Sequence, residues 1–491
     1  MLKASYCSNC VQVIEFSDES VSRIDGLESG WFLGRNIDLF DTQWREFRGG
    51  LPVLIAFAAM QSVLAKFGRN HSTSAHVVVQ LVAGLSYVLV LHGYRLVYIF
   101  LLVVGNFGVS VSIRGSWQPA AVWIFNLCAL VVVSGTGEYW DIPSLSGFAG
   151  MTSWAHHFNM VMLKLISFGV DYGRRPQTLA KEEPESLDYK ARQETVLQDS
   201  DYSFLNFVSY VFYSPLYLAG PIVSFNAWRS YLVKPKSVIG REILLYGVRW
   251  IIIFLLMEVF THYMYCNAIA ASKSVVFSLE HQILDLGRAF SLSLYVLFFM
   301  WMKFTLIWRF FRLWSLLNGI DCPENMNRCV FHNYSVAQFW KSWHSSFNLW
   351  LIRYVYVPLG GASKNKFMNI LMVFTFVALW HDLTWRVFHW AWIVSGIFAP
   401  ELVGTYLWRT SQFFTNLREN HPLLARQVKT VAVMGNMLLL MASNMVGYVF
   451  GAEGLAALVS KNQVDLKSIG FLLATLASGA NIQLILDNMY R

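Results

Sequence analysis

The stretch that decides the fold is Asn369-Ile-Leu-Met-Val-Phe-Thr-Phe-Val-Ala-Leu-Trp-His381, which is apolar for most of its length and then ends on a histidine. Such a run is typical of a membrane helix. An ionisable side chain there is costly, so it usually marks a reaction site, a proton relay or a transport pathway. A second histidine, His344, lies 37 positions upstream in an aromatic segment. The pair predicts acid/base chemistry inside the bilayer.

Composition supports a membrane location for the whole chain. Of its 491 residues, 55% are hydrophobic, 16% aromatic and 14% charged, and the mean hydropathy is +0.43. Soluble domains are about a quarter charged, so this chain needs the bilayer as its solvent. The net charge of +8 indicates contact with anionic lipid headgroups or an anionic cofactor, because no basic stripe follows the pattern of a nucleic-acid backbone. We expect no nucleic-acid partner, and the sequence leaves the oligomeric state open.

Apolar stretches near the length of a membrane span recur along the chain, so we predict an all-α polytopic protein with ten to twelve membrane helices. The 150–170 stretch contains His156, His157 and Lys164 and could instead lie in the interface. The 284–318 stretch is too long for one span and could be a span followed by an amphipathic helix with its cations at the headgroups. The expected spans are 50–67, 76–93, 95–113, 117–135, 150–170, 203–225, 242–266, 284–304, 367–381, 387–408, 428–451 and 467–487.

The domain organisation is expected to be simple. Residues 1–48 form an N-terminal polar segment, and residues 49–491 form one multi-span domain with a charged solvent loop at 171–201. The Cys7-Ser-Asn-Cys10 motif stands alone and is a weak sign of zinc, and no dense Cys/His/Asp cluster exists, so no bound metal is predicted. Cys322 and Cys329 could form a disulfide only if their loop faced an oxidising lumen.

The segment from Phe339 to Gly361 is too polar for a lipid-facing span and predicts a re-entrant helix that lines a cavity. On one continuous helix, Lys341, His344 and Asn348 would share a face, with Trp343 among the apolar cover. Pro358 should end the helix. Arg353, just before that break, could hold the phosphates of a cofactor or extend to the headgroups.

Two hypotheses account for His381, one catalytic and one structural. A buried imidazole stays neutral and can act as a general base, taking the proton of a hydroxyl that attacks a carbonyl. It could also be a structural histidine bonded to a neighbouring helix. The presence of His344 favours the hypothesis that His381 is a general base. Asp382 directly follows His381 and is a poor orienting carboxylate unless the helix ends there.

These residues resemble the membrane-bound O-acyltransferase (MBOAT) family. The resemblance runs through Phe339-Trp-Lys-Ser-Trp-His344, Arg353-Tyr-Val-Tyr-Val-Pro-Leu-Gly-Gly361 and Leu379-Trp-His381, and Tyr213-Ser-Pro-Leu-Tyr-Leu-Ala-Gly-Pro-Ile222 looks like a further family element. It implies helices arranged around an intramembrane reaction chamber and the transfer of an acyl group from a thioester, often acyl-CoA, to a hydroxyl or amine.

The resemblance also assigns roles. It implies that His381 is the catalytic base and that His344, where the family carries His, Asn or Asp, is the second catalytic residue. The substrate and cofactor contacts that we expect beside them are Lys341, Trp343, Asn348, Arg353 and Trp380. Expected partners are acyl-CoA as co-substrate, a lipid or lipid-anchored acceptor, and membrane lipids.

Within the family, Trp380-His-Asp382 and Ser346-Phe-Asn-Leu-Trp350 resemble the Gup branch, named for glycerol uptake. Its fungal members are similar to enzymes that reacylate lyso-GPI anchors in the endoplasmic reticulum. The branch is related to Hedgehog acyltransferase, but His344 stands where those enzymes carry Asp. The leading expectation is therefore an endoplasmic reticulum acyltransferase with a lipid acceptor. The alternatives are a protein acyltransferase of the Hedgehog type, a polyol transporter and a catalytically silent regulator.

Overall fold

The structure, a computed structural model, describes residues 27–136, 140–175, 188–195, 197–235, 240–271, 286–333, 335–449, 451 and 466–489. This part of the chain is helical apart from loops and one antiparallel hairpin formed by β1 (Leu27–Ser29) and β2 (Asn36–Asp38). The predicted all-α class is confirmed. Helix α1 already begins at Thr42, where Asp41 caps it by accepting a hydrogen bond from the backbone N–H of Trp44.

The helices follow in this order: α1 (Thr42–His71), α2 (Thr73–His92), α3 (Leu96–Ser112), α4 (Gln118–Thr136), α5 (Trp154–Arg174), α6 (Tyr189–Gln193), α7 (Phe204–Val211), α8 (Phe225–Val233), α9 (Gly240–Tyr263), α10 (Cys266–Ala271), α11 (Leu286–Leu317), α12 (Val336–Ser342), α13 (Ser345–Leu351), α14 (Lys366–His381), α15 (Trp385–Thr410), α16 (Gln412–Asn420), α17 (Pro422–Asn444) and α18 (Leu466–Met489). Two π-helical turns, Ile352–Tyr356 and Met445–Val449, continue α13 and α17.

Eight helical stretches of the described chain are long and apolar enough to cross a membrane, compared with the ten to twelve spans expected. They are Thr42–His71, Thr73–Ser112, Gly115–Thr136, Gly240–Tyr263, Gly287–Leu317, Trp385–Thr410, Pro422–Gly447 and Leu466–Leu486, and Lys366–His381 is a shorter apolar helix. The second stretch contains the turn Gly93–Arg95, which separates α2 from α3. Gly93 has a φ of 55°, and an added Cβ would collide with the carbonyl oxygen of Phe148, so only glycine fits this turn.

The expected span 203–225 is wrong. The chain there forms the short helix α7, a turn at Ser214–Leu216 and an extended stretch that leads into α8. Pro215 and the Gly220-Pro221 pair explain the interruption, since proline removes a helical hydrogen bond and disfavours helix before it. The non-helical backbone is tolerated because residues 206–217 are buried within the protein.

The alternative for 150–170, a helix that lies in the interface, does not hold. Helix α5 is buried on every side from Val161 to Asp171 and forms the centre of the molecule. Lys164 donates to the carbonyl oxygens of Tyr210 (3.4 Å) and Val211 (2.9 Å), which end α7. A helix C-terminus carries unpaired carbonyl groups and a partial negative charge, so it can hold a buried ammonium group.

The 284–318 stretch is one helix, α11, rather than a span and a separate amphipathic helix. Its cations do not need the headgroups because each is paired inside the protein. Lys303 lies 2.7 Å from Asp41, and Arg312 lies 2.7 Å from Asp321. Arg309 lies 3.4 Å from Glu324. Sequence hydropathy cannot reveal partners that are so distant in the chain.

The charged loop 171–201 is only partly as expected, and its residues 176–187 and 196 lie outside the described chain. Asp171 still belongs to α5, and the segment 188–195 contains the short helix α6. There Arg192 is buried, stacks on Tyr231 at 4.1 Å and donates to the carbonyl oxygen of Lys234. Cys7 and Cys10 also lie outside the described residues, whereas Cys322 and Cys329 are free thiols.

Candidate active site

A cavity of about 810 Å³ runs along one face of α14. The residues of this helix that line it are Lys366, Ile370, Val373, Phe374, Val377, Trp380 and His381. Steps of three and four keep one helix face toward the cavity. At a rise of 1.5 Å per residue, Lys366 and His381 are about 22 Å apart along the axis, so the cavity is elongated along this helix, and we call it the passage.

His381 is the last residue of α14, and its exposed side chain lines this passage. Its ring meets the indole of Trp380 edge-on, with centroids 4.6 Å apart. The next residue, Asp382, is extended (φ −171°, ψ 145°), so the helix does end at the point where the sequence left this open.

His344 lies in a break of the backbone, not on a continuous helix. Trp343 is extended and His344 is left-handed (φ 48°, ψ 49°), so α12 and α13 are separate helices. The expectation that Lys341, His344 and Asn348 share one helix face is therefore wrong. A left-handed non-glycine residue is uncommon, although histidine is among the residues enriched there. Such strain concentrates at functional sites.

The loop before α12 holds this break in place. Asn325, which is fully buried, accepts from the backbone N–H of Ser345 through its carbonyl oxygen and from that of Ser346 through Oδ1, each at 3.0 Å. The N–H of Asn327 donates to the carbonyl oxygen of Ser342 at 3.3 Å. These bonds pair backbone groups that a broken helix leaves open, which is the condition for such a break at membrane depth.

The His344 ring is fixed by aromatic neighbours. It stacks on Trp308 with centroids 4.5 Å apart and an interplanar angle of 17°, and it contacts Phe347 at 5.2 Å and Trp380 at 6.2 Å. Its Nε2 is buried and has no hydrogen-bond partner among the described residues. His344 also lines the cavity, so its ring borders the space that a substrate would occupy.

The structure brings both histidines to the same passage from two separate segments of the chain. The indole of Trp380 contacts each ring, at 6.2 Å for His344 and 4.6 Å for His381. Lys341, Trp343, Asn348 and Trp380 line the passage as well. These side chains converge although the sequence separates them by up to 40 positions.

Arg353 is the exception among the expected site residues, since it does not line this cavity. It lies 3.1 Å from Asp171 of α5 and donates to the hydroxyl of Tyr354 at 3.3 Å. Tyr354 itself donates to the other oxygen of Asp171 at 2.9 Å. Arg353 is therefore paired inside the protein and is not among the residues that line the passage. It ties the end of the re-entrant segment to the central helix.

Sequence reasoning missed several residues of the passage. His156 and Asn159 of α5 line it, although His156 seemed only an interfacial or packing residue. So do Leu218 and Ala219, which lie in the family element 213–222, and Gln43 of α1. The spacing of His156 and Asn159 on one face of a helix was the available signal. In the part of the chain that the structure describes, no group of three or more His, Cys, Asp or Glu side chains could hold a metal ion.

The fold and this passage define a polytopic membrane protein with an elongated internal cavity. A sequence profile of the membrane-bound O-acyltransferase family matches residues 113–444. The chain is 33% identical over 456 residues to "Membrane-bound O-acyltransferase gup1" of Schizosaccharomyces pombe, which covers 87% of this chain and 76% of the relative. It is 30% identical over 460 residues to "Membrane-bound O-acyltransferase GUP1" of Saccharomyces cerevisiae, with coverage of 88% and 79%.

A more distant similarity, 27% identity over 201 residues, links the chain to the mouse "Protein-cysteine N-palmitoyltransferase HHAT" and covers 40% of this chain and 39% of that protein. Given the profile match and the extent of the Gup similarity, this chain belongs to the membrane-bound O-acyltransferase family and is an acyltransferase.

Proposed function

We propose that this acyltransferase moves a fatty acyl group from acyl-CoA to a hydroxyl of a lipid acceptor at the endoplasmic reticulum membrane, with a lyso-GPI anchor as the first acceptor to test. One observation carries the proposal. His344 and His381, two ionisable residues from different segments, line a passage that extends about 22 Å along the short apolar helix α14. An elongated apolar passage fits an acyl chain, and an imidazole suits proton transfer to and from the reacting groups.

In the proposed reaction His381 is the general base. Its ring takes the proton of the acceptor hydroxyl as that oxygen attacks the thioester carbonyl carbon, which gives a tetrahedral oxyanion. When the intermediate collapses, the carbon–sulfur bond breaks and the CoA thiolate takes the proton from the imidazolium. The new ester and free CoA leave, and the histidine is restored.

His344 and Asn348 are proposed to stabilise the oxyanion. A ring N–H of His344 can donate a hydrogen bond, and Asn348 adds an amide donor in the same passage. The stacking on Trp308 holds the imidazole before substrate arrives. A preorganised donor of this kind lowers the barrier by about 3 kcal/mol.

The charge of the passage favours an anionic donor. Its described lining residues include Lys341 and Lys366 but no Asp or Glu. The side chains of both lysines are exposed rather than buried. Because phosphate groups are strongly negative, lysines in an otherwise uncharged lining attract the nucleotide end of acyl-CoA. We propose that this donor binds with its phosphates near these lysines.

Two acceptors are candidates for this reaction. The resemblance to the Gup branch supports a lyso-GPI anchor, and the similarity to "Protein-cysteine N-palmitoyltransferase HHAT" supports a protein with an N-terminal cysteine as the second candidate. The two candidates differ in the group that is acylated, a hydroxyl in one and an amine in the other.

The test is a transfer assay with purified protein in detergent or nanodiscs. Wild type and His381→Ala receive palmitoyl-CoA with lyso-GPI, other lyso-lipids or a peptide with an N-terminal cysteine, while free CoA and acylated product are measured. We expect CoA release matched by acylated lyso-GPI for wild type and neither for His381→Ala. Transfer only to another lyso-lipid or to the peptide would overturn the acceptor. Equal turnover by the variant would overturn the role of His381.

A further inference from the structure

The central helix α5 is bonded to both histidine-bearing segments through one row of residues. The indole Nε1 of Trp380 donates to the carbonyl oxygen of Asn159 at 2.8 Å, and that of Trp350 donates to the carbonyl oxygen of Leu163 at 3.2 Å. One turn further along, Ser167 Oγ lies 2.9 Å from the hydroxyl of Tyr354. Positions 159, 163 and 167 are four residues apart and lie on one face of the helix.

Asn159 differs from the other two positions because it makes two bonds to the same residue. Its side-chain Nδ2 donates to the carbonyl oxygen of Trp380 at 2.7 Å, so Asn159 and Trp380 are joined by a reciprocal pair of hydrogen bonds. The Trp380 carbonyl belongs to the last turn of α14, where no intrahelical partner exists. Asn159 therefore supplies the partner that the end of this helix lacks.

This pair lies directly beside the reacting groups. Trp380 is bonded to His381 through the backbone, and its indole packs on Phe347 at 4.4 Å and contacts His344 at 6.2 Å. His381 is the final residue of α14, and Asp382 is already extended. Without a tether, the last turn of a helix frays, and the base would move with it.

We propose that Asn159 is a positioning residue that fixes His381 relative to His344 by clamping Trp380 to α5. The inference rests on the proposed function, since the geometry it fixes is that of the two histidines. A misplacement of a reacting group by about 1 Å can cost a hundredfold in rate. The clamp should therefore act on turnover more than on substrate binding.

The experiment compares Asn159→Ala with Asn106→Ala as the matched control. Asn106 of α3 is fully buried and its Nδ2 donates to the carbonyl oxygen of Leu165 in α5, so it also makes a side-chain bond between two helices, but away from the passage. Trp380→Phe removes the indole donor and therefore the other hydrogen bond of the reciprocal pair. Kinetics use palmitoyl-CoA and the acceptor found for wild type, normalised to the folded fraction measured by size-exclusion chromatography.

We expect Asn159→Ala and Trp380→Phe each to lower kcat on the order of tenfold to a hundredfold with KM values within about twofold of wild type. Asn159→Gln, which keeps the amide, should recover part of the loss, and Asn106→Ala should keep kcat. Wild-type kcat in Asn159→Ala, a loss equal to that of Asn106→Ala, or a rise in KM alone would overturn the inference. His381→Ala is run in the same assay, and if it stays active the proposed function fails first.

Discussion

The two histidines of the passage are presented in opposite ways. His344 is held in a left-handed backbone between two short helices, with its ring stacked on Trp308. His381 is the last residue of a regular apolar helix, and its side chain is exposed to the cavity. The contrast indicates different tasks. A residue that orients a charge benefits from rigidity, whereas a base needs room for a substrate hydroxyl and access for a proton.

The largest expected effect is the loss of the base. His381→Ala should lower kcat on the order of 10³ to 10⁴, while His344→Ala should cost about 10². His344→Asn should restore part of the loss, because the amide can donate and asparagine tolerates this backbone. His389→Ala is the control, since His389 is exposed and does not line the passage. Equal losses for the two histidines would remove the distinction between them.

The second-largest effect is expected from a bulky side chain that blocks the passage. Val373 lines the cavity, whereas its neighbour Met372 is exposed on another face of the same helix. We expect Val373→Trp to lower acyl transfer on the order of tenfold to a hundredfold and Met372→Trp to leave it near wild type, since only the first indole enters the route of the substrate. The measurement is product formation with palmitoyl-CoA. A result in the reverse order would contradict the passage.

A smaller effect should follow when the support of His344 is removed. Asn325→Ala keeps the Asn325 backbone carbonyl but loses the Oδ1 acceptor for the Ser346 N–H. An unpaired buried N–H costs about 1 to 3 kcal/mol, so the melting temperature should fall, and kcat should fall about tenfold as the His344 ring loosens. Asn333→Ala, which releases a buried bond to the carbonyl oxygen of Cys329, should lower stability without the loss in kcat.

The smallest effect on turnover is expected at Arg353. Because this guanidinium pairs with the buried Asp171 outside the passage, Arg353→Ala leaves an unpaired charge and should reduce stability by about 3 to 5 kcal/mol. The KM for acyl-CoA should not change. The double variant Arg353→Met with Asp171→Asn should regain much of the stability. A large rise in KM for acyl-CoA would instead indicate that Arg353 contacts the bound acyl-CoA.

These contrasts show what the sequence could and could not predict. Hydropathy located the membrane helices and the two histidines, because apolar runs and rare ionisable residues are local signals. It did not predict the buried position of α5 or the full length of α11, because their charged side chains have partners far away in the sequence, such as Asp41 for Lys303, 262 positions away. Local periodicity likewise predicted one helix through His344, although Asn325 and its loop stabilise a break there.

The site shows the same division. Residues in the recognisable motifs were found, including Lys341, Trp343 and Asn348, which the structure places along the passage. The pairing of Arg353 with Asp171 was not foreseen, because Asp171 belongs to another helix. Asn159 was missed since its importance arises from a contact with Trp380, 221 positions away, and a single sequence carries no mark of that contact.

The backbone angle at His344 also limits which amino acids can occupy that position. At φ 48°, a branched side chain such as valine or isoleucine would be strained whatever its chemistry, whereas glycine, asparagine and aspartate fit at little cost. Saturation mutagenesis at this position would therefore separate the variants by two criteria in succession. Expression level would sort the variants by conformational tolerance, and only within the well-expressed set would catalytic rate report on the imidazole.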